Sequence, residues 1–184
     1  MGVEIVGRHM PARITLDDLA AMAAADRHGY RYELSPEGSL SVAPPPDVEH
    51  ATVASRLLVW FVAAGMPVER VLQAVGIRIP RGGGVGGRVP DLTVWSQAPG
   101  GATVWTPATG LLLVVEIVSP GSEAIDQEIK RDEYRTVGIP HYWLVDQDAG
   151  HTVTMFRLID GEYQVVRTMS LTWLLNGSPT SHLG

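Results

Sequence analysis

Apolar positions along the chain change period several times, and each change marks an element. Residues 14–26, "ITLDDLAAMAAAD", carry an alanine-rich helical pattern. Thr15 followed three positions later by Asp18 makes a capping-box start. Residues 30–42, "YRYELSPEGSLSV", read as two short strands around the turn Ser35-Pro36-Glu37-Gly38. The proline-rich 43–47 is a stiff connector. Residues 48–65 form a strongly apolar helix that stops at Gly65, with Pro67 beyond.

Strands follow at 71–79 and 88–95, separated by the loop "PRGGGVGG". A longer loop, 96–110, leads to the apolar strand "LLLVVEIVSP" at 111–120. Residues 121–140 are a helix with Ser122 near its N-cap, Gly138 at its end and Pro140 just past it. "HYWLVD" is a strand. Turns at "QDAG" and "LIDG" then set off a closing hairpin. The order predicts an α/β (α+β) fold: a mixed, largely antiparallel sheet flanked by helices. One domain over 1–184 is expected, with an N-terminal arm (1–13) and a C-terminal extension (168–184).

Glu116 interrupts the apolar strand. An unpaired carboxylate in such a strand costs several kcal/mol or more, so it needs a cation, a metal or a proton. Strand alternation puts Leu112, Val114, Glu116 and Val118 on one face, and Val89, Asp91, Thr93 and Trp95 on one face of the preceding strand. If the two strands are neighbours, Asp91 and Glu116 converge. Two acids with water access suit a hard divalent cation, Mg²⁺ or Mn²⁺.

Lys130, the single lysine among 14 basic residues, lies on the following helix. Asp126, Lys130 and Tyr134 share a face of it. Bland alternatives stand beside each reading: an exposed Asp126–Lys130 pair, a strand-capping Asp91, and a structural ion pair between Glu116 and an arginine. Trp95 and Trp105 fit either an interface or the core.

Composition narrows the function classes. The net charge of −6 argues against coating nucleic acid by bulk electrostatics, but not against local contact. There is no cysteine, hence no disulfide and no thiolate metal site. No apolar run reaches the ~20 residues of a membrane span. The opening residues lack a signal peptide's apolar core, and a cytoplasmic location is expected. "GGGVGG" matches G-x-G-x-x-G formally, but a strand rather than a helix follows, so it is a hairpin loop and not a dinucleotide site. No serine-hydrolase elbow, phosphate loop or H-E-x-x-H occurs. Arg78, Arg81 and Arg88 flank that loop. They make either a basic finger for phosphates or a solubilising hairpin tip.

"VPDLTVW", "LLVVEIVSP" and "DQEIKRDEYRTVGIPHYWLVD" resemble the Uma-two family, a restriction-endonuclease-like family of the PD-(D/E)XK nuclease superfamily. "YELSPEGSL" and "PPDVEH" extend the resemblance, which covers roughly 15–167. It implies that Asp91 and Glu116 are the paired acids, binding Mg²⁺ or Mn²⁺ with the Ile117 carbonyl as a further ligand. The usual lysine two residues after the second acid is absent, since Val118 stands there. Lys130 matches a lysine relocated to the next helix. An ammonium's compact charge and tunable pKa fit a role that arginine cannot fill. Glu33 and His50 match further family positions. The expected function is metal-dependent phosphodiester hydrolysis in DNA rather than RNA, by a homodimer. The competing reading is an inactive nuclease-like fold serving as a dimeric nucleic-acid-binding or scaffold module.

Overall fold

The computed structural model describes residues 13–101, 103–119 and 125–183. Two sheets form. The larger has the order β11 (Glu162–Ser170), β10 (Thr152–Ile159), β9 (His141–Val145), β8 (Leu111–Ile117), β6 (Leu92–Trp95), β3 (Val71–Gln73). The smaller has the order β2 (Leu40–Ala43), β1 (Arg31–Leu34), β5 (Gly84–Arg88), β4 (Gly76–Arg81), β7 (Trp105–Pro107). Every pairing is antiparallel except β8 with β9 and β4 with β7. The mixed, largely antiparallel architecture is therefore present, divided between two sheets.

In the larger sheet, β8 (Leu111–Ile117) runs between β6 (Leu92–Trp95) and β9 (His141–Val145). Both of its faces are covered, which explains its nearly unbroken apolar sequence. Leu113, Val115 and Ile117 join Leu92 and Val94 in one core cluster. Val114, Leu111 and Trp95 join another on the opposite face. The first face is roofed by α2 (Val48–Ala63), which presents Val53, Ala54, Leu57, Trp60 and Phe61 at helical spacing. Beyond β9 come β10 (Thr152–Ile159) and β11 (Glu162–Ser170), joined by the left-handed pair Asp160 and Gly161. The short helix α4 (Leu171–Leu175) then buries Leu171 and Leu174 in the first cluster.

The smaller sheet holds β1 (Arg31–Leu34) and β2 (Leu40–Ala43), with β4 (Gly76–Arg81), β5 (Gly84–Arg88) and β7 (Trp105–Pro107). The short strand β3 (Val71–Gln73) is the edge of the larger sheet. Helix α1 (Leu16–Ala25) has its capping box, with Thr15 and Asp18 bonded reciprocally.

The glycine-rich stretch differs from expectation. Only Gly82 and Gly83, both at positive φ, form a turn. Gly84–Arg88 is a strand, and its glycines are there for clearance. A Cβ on Gly86 would lie 2.6 Å from the Leu34 carbonyl oxygen, and one on Gly87 would lie 2.6 Å from the Trp105 ring. Arg88, expected to open the strand 88–95, instead closes the strand Gly84–Arg88 and is buried.

The helix after β8 also differs. Ile125–Lys130 is wound as a π-helix and continues as α3 (Arg131–Thr136). The N-cap expected at Ser122 lies outside the described residues, as does the side chain of Asp126. Gly138, at positive φ, ends the helix. Trp95 and Trp105 are both core residues. Among the described residues, no helix is long and apolar enough to cross a membrane.

Candidate functional site

Pairing of β6 with β8 aligns Leu92 with Val115. One residue earlier, Asp91 reaches across, and its Oδ2 accepts the Ile117 backbone N–H at 2.7 Å. The expected neighbourhood of Asp91 and Glu116 thus follows from sheet register. Asp91 Oδ1 accepts Arg31 Nη1 at 2.6 Å and lies 2.9 Å from His50 Nε2. His50 is placed by the start of α2, where Asp47 caps the helix by accepting the His50 backbone N–H. Its other ring nitrogen lies 3.4 Å from the Ser119 hydroxyl.

Glu116 is 1% exposed. Its Oε1 lies 3.2 Å from Lys130 Nζ and accepts the Tyr134 hydroxyl at 2.5 Å. Lys130 is buried and lies equally close, at 3.2 Å, to Glu33 Oε2. An exposed Asp126–Lys130 pair is thereby ruled out as the role of Lys130. Glu33 also accepts the Val89 backbone N–H at 2.8 Å. The sequence-derived set Glu33, His50, Asp91, Glu116 and Lys130 therefore gathers in one place. For Ile117, the structure shows its N–H at work, on Asp91.

Four members of the cluster were not among the expected site residues: Tyr134, which donates to Glu116, and Arg31, Arg88 and Glu133. Arg31 stands two residues before Glu33, so strand alternation from Glu33 points to it. Arg88 and Glu133 form a buried two-pronged ion pair at 2.6 and 2.7 Å, with Arg88 Nη1 also 3.4 Å from Glu33. The basic-finger reading fails for Arg88, which is interior. Arg81 is engaged with Asp132 at 2.8 Å, and Arg78 Nε donates to the Trp105 carbonyl. No sequence signal marks Glu133.

Charge compensation sets the electrostatics. Burial pushes the Glu33 carboxyl up, but Lys130, Arg88, the Val89 N–H and Arg31 outweigh it and hold Glu33 below its usual value. Burial likewise opposes the charge on Asp91, and the His50 hydrogen bond, Arg31 and the Ile117 N–H bring it below the ordinary range. Burial and then the Glu116 charge drive the Tyr134 hydroxyl well up, so it remains a donor.

Stability should follow from these shifts. Glu33 and Asp91 have depressed folded values, so their contribution is complete above an unfolded value of about 4 and is lost as pH falls further. Tyr134 has a raised value, so its contribution is lost as pH rises past about 10. Urea unfolding across pH should give a plateau between these limits. A gain in stability on acidification below about pH 4 would contradict the assignment.

The donor set can be tested against a metal. Among the described residues, no three His, Cys, Asp or Glu side chains gather as a ligand group. Mg²⁺ does not require three, since one or two carboxylates, completed by water and phosphate oxygens, are its usual protein share. Of the four lone-pair sites on Asp91, described donors occupy three. Carboxylate oxygens as a class suit hard cations such as Mg²⁺ or Mn²⁺ and not a thiophilic ion.

A cavity of about 670 Å³ opens onto Asp91, His50 and Arg31. Asp91 is the carboxylate that lines it, and Glu116 lies behind, outside the lining.

Comparison with known proteins bears on the family and the fold. The family model described as "Uma2: Putative restriction endonuclease" matches residues 16–184. A crystal structure of "a putative nuclease belonging to DUF820" from Anabaena variabilis ATCC 29413 has a similar fold. It shows 21% identity, a TM-score of 0.60 and 83% of each chain covered. At that identity the likeness is one of fold. No curated protein matches the chain. With all but the first fifteen residues matched by its model, the chain belongs to the Uma2 family.

Proposed function

We propose that the chain is a metal-dependent endonuclease that hydrolyses phosphodiester bonds in DNA. One observation carries this reading. Asp91, which accepts the backbone N–H next to Glu116, lines a cavity, and Lys130 stands 3.2 Å from Glu116. DNA is preferred over RNA because restriction endonucleases, the activity in the family description, act on DNA.

Each residue has a part. Asp91 and Glu116 would hold Mg²⁺ or Mn²⁺, with the Ile117 carbonyl as a further oxygen. A cation bound there supplies polarisation of the phosphate and a lower pKa for a coordinated water. Lys130 offsets the buried Glu116 charge, and its ammonium protons can orient the attacking water or stabilise developing negative charge. Tyr134 and Glu33 hold Glu116 and Lys130 in place. Arg31, at the cavity, is suited to a phosphate oxygen. His50 orients Asp91 through Nε2.

A second reading has its own support. The described acids already have protein partners: Glu116 has Lys130, and Asp91 has Arg31. Their burial is explained without a metal, as in a nuclease-like binding or scaffold module. Cleavage separates the two readings. Purified protein with Mg²⁺ or Mn²⁺ should cut labelled DNA, and Asp91→Asn should lose at least about 100-fold of that rate with its fold intact. Equal rates for the two proteins would sink the catalytic assignment of Asp91.

A further inference from the structure

The cavity beside Asp91 is not a groove for a duplex backbone. Its walls are largely apolar and aromatic, formed by Tyr30, Tyr32, Val75, Val104 and Trp105. Arg31 and Asp91 are the charged residues that line it, and Arg31 already contacts Asp91. Such a lining has little to offer a chain of phosphates and much to offer a flat, partly apolar ring. The volume, about 670 Å³, lies within the range of small-molecule sites.

Built features hold the aromatic wall. Trp105 donates its indole N–H to the Leu16 carbonyl at 2.8 Å. Its ring lies where a Cβ on Gly76 or Gly87 would intrude, at 2.8 and 2.6 Å. Gly76 and Gly87 therefore keep room for this ring. Tyr30 remains 42% exposed and forms part of the same wall. Gln73 and Ser55, also lining, bring polar groups able to meet a base edge.

Charge elsewhere on the chain points the same way. Net charge is −6. Of the three arginines around the β4–β5 turn, Arg88 is buried and Arg81 is paired with Asp132. Strong duplex binding needs many phosphate contacts from Lys and Arg. Base stacking on aromatic rings is the alternative source of affinity, and it requires a base outside the double helix. A paired base would first have to be unstacked, whereas a single strand offers its bases at little cost.

We propose that this cavity receives the base of an unpaired nucleotide, with its phosphate at Arg31, so that the chain acts on single strands in preference to duplex. The inference rests on the nuclease reading for its biological meaning, but its test does not require cleavage. Fluorescence anisotropy in metal-free buffer would compare labelled oligothymidylate and oligouridylate with the same strands annealed to their complements. Two variants change the cavity without touching the carboxylate cluster: Ala51→Trp fills it, and Tyr30→Ala removes a stacking ring. Thermal melting checks that each variant folds, and Tyr30→Ala carries the test if the tryptophan does not fit.

A single strand of either sugar should bind at least about tenfold more tightly than its duplex, and each folded variant should weaken that binding about tenfold. Duplex binding as tight as single-strand binding overturns the inference. So does single-strand affinity indifferent to the substitutions, or no binding of any strand. Preferential binding without cleavage would remove the nuclease reading and leave the cavity assignment standing.

Discussion

Arg88→Ala is expected to destabilise the protein by about 3–5 kcal/mol, the cost of breaking a buried ion pair by removing one partner. Glu133 is fully buried and takes both prongs of the guanidinium, so its charge would be left in the interior. Glu33 would lose a second, longer contact but keep Lys130 and the Val89 N–H. Against a typical total stability of about 5–15 kcal/mol, that loss brings the fold near its limit. Urea unfolding measures it directly. A change under about 1 kcal/mol would mean that the pair behaves like a surface salt bridge and that the buried network is wrongly drawn. Glu133→Leu combined with Arg88→Met should recover much of the loss, because replacing both partners by apolar side chains leaves no orphaned charge.

Lys130→Met should be the most damaging single change to function. The ammonium stands 3.2 Å from both Glu33 and Glu116. Without it, two buried carboxylates lose their shared cation, and the site loses the proposed partner of the attacking water. Cleavage should fall by at least about 100-fold. Lys130→Arg should not restore it, since a planar guanidinium cannot replace a compact ammonium held between two acids. Cleavage by Lys130→Met at the wild-type rate would exclude Lys130 from catalysis and leave it a structural counter-ion.

The acids were legible because strand alternation is a strict rule. Once Asp91 and Glu116 were placed on neighbouring strands, period two put them together, and the Ile117 N–H on Asp91 bears out that register. Lys130 was legible because no other lysine competes with it. Arg31 was equally accessible, on the face of β1 that carries Glu33, but nothing in its own neighbourhood marked it.

Arg88 was hidden by the glycines before it. In sequence they read as a loop. In the fold they admit the Leu34 carbonyl and the Trp105 ring, contacts that form only when distant segments meet. The π-helical winding at Ile125–Lys130 also has no local signature. Both misreadings concern tertiary contact or backbone winding, and neither displaced a candidate site residue.

The central claim is that Glu116 and Asp91 form a divalent-cation site and not only the acid half of an ion-pair cluster. Calorimetric titration of Mn²⁺ into wild type and Glu116→Ala tests it most directly. Saturable binding by the wild type that disappears in a folded Glu116→Ala is the predicted result. A well-folded wild type that takes up no Mn²⁺ would contradict the claim, leaving Lys130 and Tyr134 as the reason Glu116 is buried.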